Sequence, residues 1–414
     1  MRTHTHTLSR ILTDQRGIAL PMALMIILIL SALMAAFSVL GASEPTLAAN
    51  QQRVAQARAM AESGLERAIW ALNNPDDASG IPGDKDGMLP NPMGPALAPF
   101  NGSTAVPVMI NGTQVGVFTV TVTGGTTANE RDIVATGWVP TNTGSGPKVK
   151  QRIRVTVTKI RFLNAPVALA VRGDLDIGGN SYIDSRQDTS CGNKGGSWSK
   201  DNTERYGSAT VYGAGNDTAN TEVLYSVDPS SDIVTKVPGS VFDTFTYSND
   251  ELDMFKAIAR AQGTYYQGSV LFNATNRVPN GLIFVDTVSG NNITSATPSS
   301  DFASLRISGD AAADVDHIFK GWIVVNGSAR IDGLFQMHGL LYVQNDLAYQ
   351  GVGAGQIVGA VISQNIRDTS YTSIDSDTVG NSTIIYNCKY ARDGDSNVSQ
   401  SFTIKLGTYK EVAG

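Results

Sequence analysis

The sequence predicts an α+β chain, mainly β: one long N-terminal helix followed by a β-rich head, part of it coiled as a β-solenoid. Three observations carry that expectation. No charged residue lies between Arg16 and Glu44, and the stretch between them is almost wholly apolar. Past the helix, glycine, serine, threonine and asparagine dominate, and Val/Ile runs alternate with polar residues at period two. Within that region short β-runs with Gly/Asn corners recur, their anchor residues Val325, Val343 and Ile362 lying 18 and 19 apart.

Residues 1–17 form a basic leader, with Arg2, Arg10 and Arg16 against Asp14. That balance keeps the leader in the cytoplasm and sends the bulk of the chain outside. The run Ile18–Leu40 then supplies about 20 apolar residues, enough to span a bilayer core as a helix. It is about twice as long as the apolar region of a secretory signal peptide, and Leu47-Ala48-Ala49 is a poor cleavage site for one. Beyond the run, Leu47, Val54, Ala57, Ala61, Leu65, Ala68 and Leu72 recur at spacings of 3, 4 and 7, which is one stripe of an α-helix. Gln51, Gln52, Arg53, Arg58, Glu62 and Glu66 suit the opposite face. Residues 18–73 are therefore expected to form a helix about 80 Å long. Gly41 and Pro45 mark a kink, because a proline in a helix interior removes one hydrogen bond. Pro21 falls in the first turn, where no bond is lost. Asn73-Asn74-Pro75-Asp76 stops the helix.

The residues Gln15-Arg16-Gly17-Ile18-Ala19-Leu20-Pro21 resemble a type IV prepilin cleavage region. Further along, Glu44, then Ala48-Ala49-Asn50, then Ala61-Glu62-Ser63-Gly64-Leu65 resemble the N-terminal domain of PilX-type minor pilins at matching spacing. The resemblance covers about residues 15–73. It implies a pilin-type helix, cleavage between Gly17 and Ile18 by the prepilin peptidase, N-methylation at Ile18, and a helix motif of Glu44, Asn50, Glu62 and Gly64. One departure stands out. Most pilins carry a glutamate at the fifth mature position, here Met22, where it is thought to neutralise a neighbour's amino terminus. Glu44 lies too far along the helix to replace it. PilX-type minor pilins often lack that carboxylate, as fits an initiating or tip subunit.

Residues 74–104 are dense in proline and glycine and read as a linker. Residues 105–165 follow as an antiparallel meander of three strands, Val115–Val122, Asp132–Val139 and Lys148–Thr158, packed on the helix. Residues 166–414 make the solenoid-like head. Ala168–Gly179 aligns with Trp322–Gly333, Leu340–Gly351 and Ala360–Ile366, each a rung whose apolar residues stack on the next. An ordinary sandwich with similar strands is the alternative. The long gap between the Val171 and Val325 rungs reads as an insertion at about 185–320. It includes a helix over Asn249–Gln262, capped by Ser248 or Asn249, ended by Gly263, and burying Leu252, Phe255, Ile258 and Ala259.

Cys191 and Cys388 are the only cysteines. In an exported chain such a pair forms a disulfide, closing a very long loop worth roughly 5 kcal/mol in the chain-entropy model. Unpaired thiols are the alternative if the source lacks oxidative folding outside the membrane.

No constellation with catalytic spacing is present. His4 and His6 fall in the leader, and Asp314, Asp316 and His317 read as a solvated turn. Gly83–Gly87 and Asp393–Asn397 lack the spacing and closing glutamate of a calcium loop. The expectation is therefore no enzyme, no cofactor and no metal. With a net charge of −6 and no basic stripe beyond the helix, no nucleic-acid partner is expected.

The function these residues imply is a minor pilin-like subunit of a type IV pilus, anchored in the inner membrane by its helix before assembly. It would prime or cap the pilus, with the head outside the cytoplasm and then at the cell surface, adhesive toward a host or surface ligand. The partners implied are other pilins through the helix, the inner membrane and the prepilin peptidase. Three alternatives stand beside it: a type II secretion minor pseudopilin, a surface adhesin on a fixed anchor, and a β-helical polysaccharide-cleaving enzyme.

Overall fold

The computed structural model describes residues 19–73, 98–127, 129–215, 218–351, 353, 355–367, 376–398 and 401–412. A long N-terminal helix is followed by strand-rich structure, an α+β chain. It divides into two compact units. Residues up to Thr158, together with the segment from Phe402, make the first, and Lys159–Ser401 make the second.

The first unit is one helix on one sheet. Helix α1 (Ala19–Asn73) continues through Gly41 and Pro45. The strands are β1 (Val106–Ile110), β2 (Thr113–Gly124), β3 (Glu130–Val139) and β4 (Val149–Thr158), antiparallel in that order. The three expected strands are present, their bounds shifted by a residue or two. β1 is additional. Pro107 cannot donate to a ladder, which hides the strand in the sequence and suits its edge position. Period-two patterning turns Ile153, Val155 and Val157 of β4 inward. They meet Ala61, Leu65, Ala68 and Leu72 of α1, with Phe118, Val120 and Ile133 from the neighbouring strands. The linker expected over 74–104 lies mostly outside the described residues, but Phe100 is buried in this same core.

The helix approaches its sheet closely because both surfaces are small. A methyl group at Gly137 of β3 would overlap the Ala57 carbonyl and lie 2.5 Å from the Ala61 nitrogen and 2.7 Å from Met60 Cβ. Only glycine fits there.

The second unit is built almost wholly from parallel pairs. Its first half holds β5 (Val167–Val171), β6 (Leu175–Ile177), β7 (Tyr182–Asp184), β8 (Gly195–Ser199), β9 (Thr203–Arg205), β10 (Thr210–Tyr212), β11 (Glu222–Leu224) and β12 (Ile233–Thr235). Helices α2 (Gly239–Asp243) and α3 (Asn249–Gln262) follow. The second half holds β13 (Tyr265–Gln267), β14 (Ser269–Phe272), β15 (Gly281–Asp286), β16 (Ala303–Ser308), β17 (Ile318–Val325), β18 (Gly327–Gly333) and β19 (Gln336–Val343). It ends with β20 (Leu347–Gly351), β21 (Gln356–Ser363), β22 (Ser376–Gly380), β23 (Thr383–Tyr386) and α4 (Cys388–Asp393).

From β13 to β22 successive strands alternate between two sheets. One runs β11-β12-β8-β5-β21-β19-β17-β15-β13 and the other β14-β16-β18-β20-β22-β6-β9. Both are parallel throughout, so strands of the first sheet are apolar along most of their length, as β19 is from Gly339 to Val343. The two halves of the chain meet where β21 pairs β5 and β22 pairs β6. The first half grows away from that seam, and the second half returns to it from the far end of the stack.

Three sequence expectations change here. The register sets Val343 beside Ser363, so Ile362 falls abreast of Tyr342, one residue from the expected alignment. Every residue of β21 from Gly359 on is buried, so no alternation marks its register. What marks it is a column of glycines, Gly281, Gly321, Gly339 and Gly359, abreast in four strands. Second, the segment read as an insertion at about 185–320 contributes β8, β12, β15 and β16 to the same two sheets. Its repeat is disguised by longer corners, which set Gly281 and Gly321 abreast although a long stretch of chain separates them. Third, the C-terminus does not stay with the second unit. β24 (Thr403–Ile404) and β25 (Lys410–Val412) pair antiparallel with β4, and strands this short carry no period-two signal.

Helix α3 follows the sequence closely. Ser248 Oγ accepts from the Glu251 amide while Glu251 accepts from the Ser248 amide, and Gly263 closes the helix in the left-handed region. Leu252, Phe255 and Ala259 are buried as expected, Ile258 only partly, and Lys256 joins them.

Candidate functional site

The candidate site is the first two-thirds of α1. Up to Gln56 its described side chains are all exposed, while from Ala57 onward the helix buries one face on the sheet. Thirteen large apolar side chains from Leu20 to Val39 stand open, Phe37 at 69% and Ile29 at 53%. Burying that many side chains would be worth on the order of 20 kcal/mol or more. The charge-free part, 19–43, is about 37 Å long at 1.5 Å per residue, against about 30 Å for a bilayer core. By length and composition α1 is apolar enough to cross a membrane.

Two serines within it are locally satisfied. Ser31 Oγ donates to the Ile27 carbonyl at 2.7 Å and Ser38 Oγ to the Met34 carbonyl at 2.8 Å. A serine bonded back onto its own helix presents no unmet hydroxyl to lipid.

Gly17 and Ile18 lie outside the described residues. Glu44 and Asn50 are exposed on α1. Glu62 is half-buried and accepts from Arg58 at 3.0 Å and from the Tyr409 hydroxyl at 3.3 Å. Arg58 also pairs with Glu411 at 3.0 Å. These are surface pairs, weakened by solvent screening. Gly64 is a packing residue, since a methyl there would lie 2.8 Å from the Phe118 ring. The motif therefore divides: Glu44 and Asn50 stand on the exposed stretch, whereas Glu62 and Gly64 serve the docked end. Sequence reading missed what closes that end. Asn73 Nδ2 donates to the Phe402 carbonyl at 3.1 Å, Asn73 Oδ1 accepts from the Phe402 amide, and Lys405 pairs with Glu130 at 2.9 Å. No local pattern announces contacts between residues so far apart in the chain.

In comparisons with known proteins, no family model matches the chain, and no curated protein does either. Among solved structures it is similar to the competence-associated pilin ComZ from Thermus thermophilus. Identity is 11%, over 87% of this chain and 97% of that one, with a TM-score of 0.25. At that TM-score the likeness does not itself establish a shared fold.

In the second unit Cys191 and Cys388 are joined by a disulfide, their Cα atoms 5.8 Å apart. Asp188 braces it, accepting from the Cys388 amide at 2.8 Å and the Ser190 amide at 2.9 Å, bonds that hold its carboxyl below the usual range against the opposing effect of burial. The bridge joins the chain's two halves near the β21/β5 seam, because Cys191 precedes β8 and Cys388 opens α4. Asp314 and Asp316 both pair with Lys320, at 3.1 and 2.6 Å, and His317 with Asp310 at 2.7 Å, all at the surface. Asp393 and Asp395 sit at the end of α4 and in the turn after it, paired with Arg392 and Lys389. Among the described residues, no group of three His, Cys, Asp or Glu side chains could hold a metal ion.

Proposed function

We propose that this chain is a minor pilin-like subunit of a type IV pilus, of the PilX type, held in the inner membrane by α1 before it joins the filament. One observation carries the reading. A single helix has one end docked on its own sheet and the other uncharged from Ala19 to Ser43, its described side chains exposed. Such a helix needs a second apolar environment, first lipid and then the helices of other pilins. The cleavage-like Gly17-Ile18 step and the Glu44, Asn50, Glu62, Gly64 pattern support the same reading. In it the prepilin peptidase cuts after Gly17, Ile18 is methylated, and the subunit primes or caps assembly. The chain acts without catalysis or a bound cofactor.

We read the second unit as a β-solenoid. Strands alternating between two parallel sheets support it, as does the near-even step along the Gly321-Gly339-Gly359 column. Such a head, outside the cytoplasm, would turn its exposed sheet face toward a host or surface ligand and adhere to it. A type II secretion minor pseudopilin shares this N-terminal design. A surface adhesin on a fixed anchor needs only the apolar helix.

The test is the N-terminal mass of the protein from its native cells, with and without the prepilin peptidase. A methylated Ile18 start that requires the peptidase is the expected result. An intact Met1 in both strains overturns the filament reading and leaves the fixed anchor.

A further inference from the structure

The outer face of the β14-to-β9 sheet carries one row of side chains abreast in adjacent strands: Leu271, Arg306, Arg330, Ala348, Asp377, Asp176 and Glu204. In the five strands from β16 to β6 their neighbours along the strand, such as Leu305, Ile331, Tyr349, Thr378 and Ile177, are buried, so the row points outward there. Charge is sorted along it, with two arginines on one side of Ala348 and three carboxylates on the other.

Among the described residues neither cluster is balanced. Arg306 and Arg330 share one carboxylate, Asp332, at 3.0 and 2.8 Å, and Arg330 spends another N–H on Gln350. Asp176 and Glu204 have no cationic partner among the described residues. Asp377 leans on Gln350 and on the more distant charge of Arg330, and its Oδ1 is buried with no hydrogen bond. Like charges directly abreast in a ladder are destabilising. Burial, then the neighbouring Glu204, Asp377 and Asp174, push the Asp176 carboxyl above its usual range.

The order along the row is self-complementary. Counting strands from β20, Arg330 is one place to one side and Asp377 one place to the other, while Arg306 and Asp176 are each two places out. We propose that this face docks against the same face of a second copy, on a two-fold axis lying in the interface along β20, so that Arg330 meets the partner's Asp377 and Arg306 the partner's Asp176. Such an isologous contact satisfies each pair twice. An axis across the strands would set arginine on arginine and is excluded. The third places, Leu271 and Glu204, add no pair. With strands about 4.8 Å apart and one to three outward residues per strand, the face measures about 30 Å across the strands and at most about 13 Å along them. That is at most about 400 Å² per copy, no more than half the standard size of a stable interface. The association is accordingly weak and salt-sensitive, and becomes effective where copies are held together in one membrane or filament. It does not depend on which filament, if any, the helix joins.

The test uses the full chain in detergent with Ala348→Cys, placed on the proposed axis. Both native cysteines are in the disulfide, so this is the only free thiol. A short bis-maleimide is expected to give a covalent dimer at low salt. Yield is expected to fall at least fivefold in R306E/R330E and in D176R/D377R, and to return when the two are mixed, because acidic side chains then meet basic ones at all four paired places. R306Q/R330Q replaces either charged variant that does not fold, with the same loss expected. Equal yields in all variants, as association through α1 alone would give, overturn the proposal. So does no dimer in the parent, or a dimer that forms only with added divalent cation, which would make the carboxylates a metal site. N-terminal processing at Ile18 is unaffected in every case, so this proposal and the pilin reading fail separately.

Discussion

Replacing Lys256 with methionine tests how the second unit is held together. Lys256 lies on the buried face of α3, its side chain 5% exposed. Its ammonium is 3.0 Å from Asp286 Oδ2, which is fully buried on β15, and 2.8 Å from the Gly290 carbonyl. Methionine keeps the volume and removes the charge. Asp286 would keep the Asn326 amide at 2.7 Å, the Tyr265 hydroxyl at 2.9 Å and the Thr287 amide at 2.9 Å, but no cation. Breaking a buried pair costs about 3–5 kcal/mol, and the three remaining donors set the lower end, about 3 kcal/mol. For a unit of this size that is a fall of about 6–12 °C in Tm. Trp322, in edge contact with Phe255 of α3 at 6.1 Å, makes tryptophan fluorescence a local probe of the loss. K256M/D286N removes both charges and is expected to recover most of it. A K256M unfolding curve indistinguishable from the parent's, or a double variant no better than the single, would refute the argument that Asp286 depends on Lys256.

Gly137→Val drives a side chain into the Ala57 carbonyl and the Ala61 nitrogen and is expected to cost about 3 kcal/mol, read as protease cleavage between α1 and the sheet. Cys388→Ser opens a loop with a sequence separation of 197 and is expected to remove up to about 5 kcal/mol, measured as the unfolding midpoint of the variant beside that of the oxidised parent. His338 stacks on Tyr390 at 4.3 Å, and burial holds its pKa below the ordinary 6.5, with Lys320 acting the same way and Asp395 and Asp316 opposing. The unfolded chain therefore takes up the proton first. This contribution to stability is complete above about pH 6.5, shrinks as pH falls below it, and levels once the folded imidazole is also charged. His338→Gln is expected to flatten that part of the pH profile of the unfolding midpoint.

What was legible in the sequence was local. Helix α3 could be bounded because Ser248 and Gly263 act within a turn of its ends, and the docked stripe of α1 because its period is set by the helix itself. The strands β2, β3 and β4 showed themselves through alternation, since each has one face wetter than the other. Lys256 was missed because a lysine beside Phe255 reads as solvent-facing unless its carboxylate, Asp286 on β15, is known to lie beneath it. The strand register slipped by one residue because Val361, Ile362 and Ser363 are all buried, leaving no polar face to count from.

The seam explains why the remainder was hidden and what the disulfide does. A stack that grew in chain order would pair each strand with the next of its sheet and announce itself as a repeat of even step. Here β5 pairs β8 on one side and β21 on the other, so its second neighbour comes from the opposite half of the unit. Closing that contact carries a loop-closure cost that local pairing does not. Cys191 and Cys388 sit on the two halves that meet there and remove much of that cost from folding once joined. The first unit poses the same problem at larger scale, because β4 waits for β24 and β25 and Asn73 waits for Phe402. The docked end of α1 is thus completed only by the segment from Phe402 onward. A chain that lost that segment would keep an apolar helix with its sheet partly undone, which ties the soundness of the candidate site to residues that carry no motif of their own.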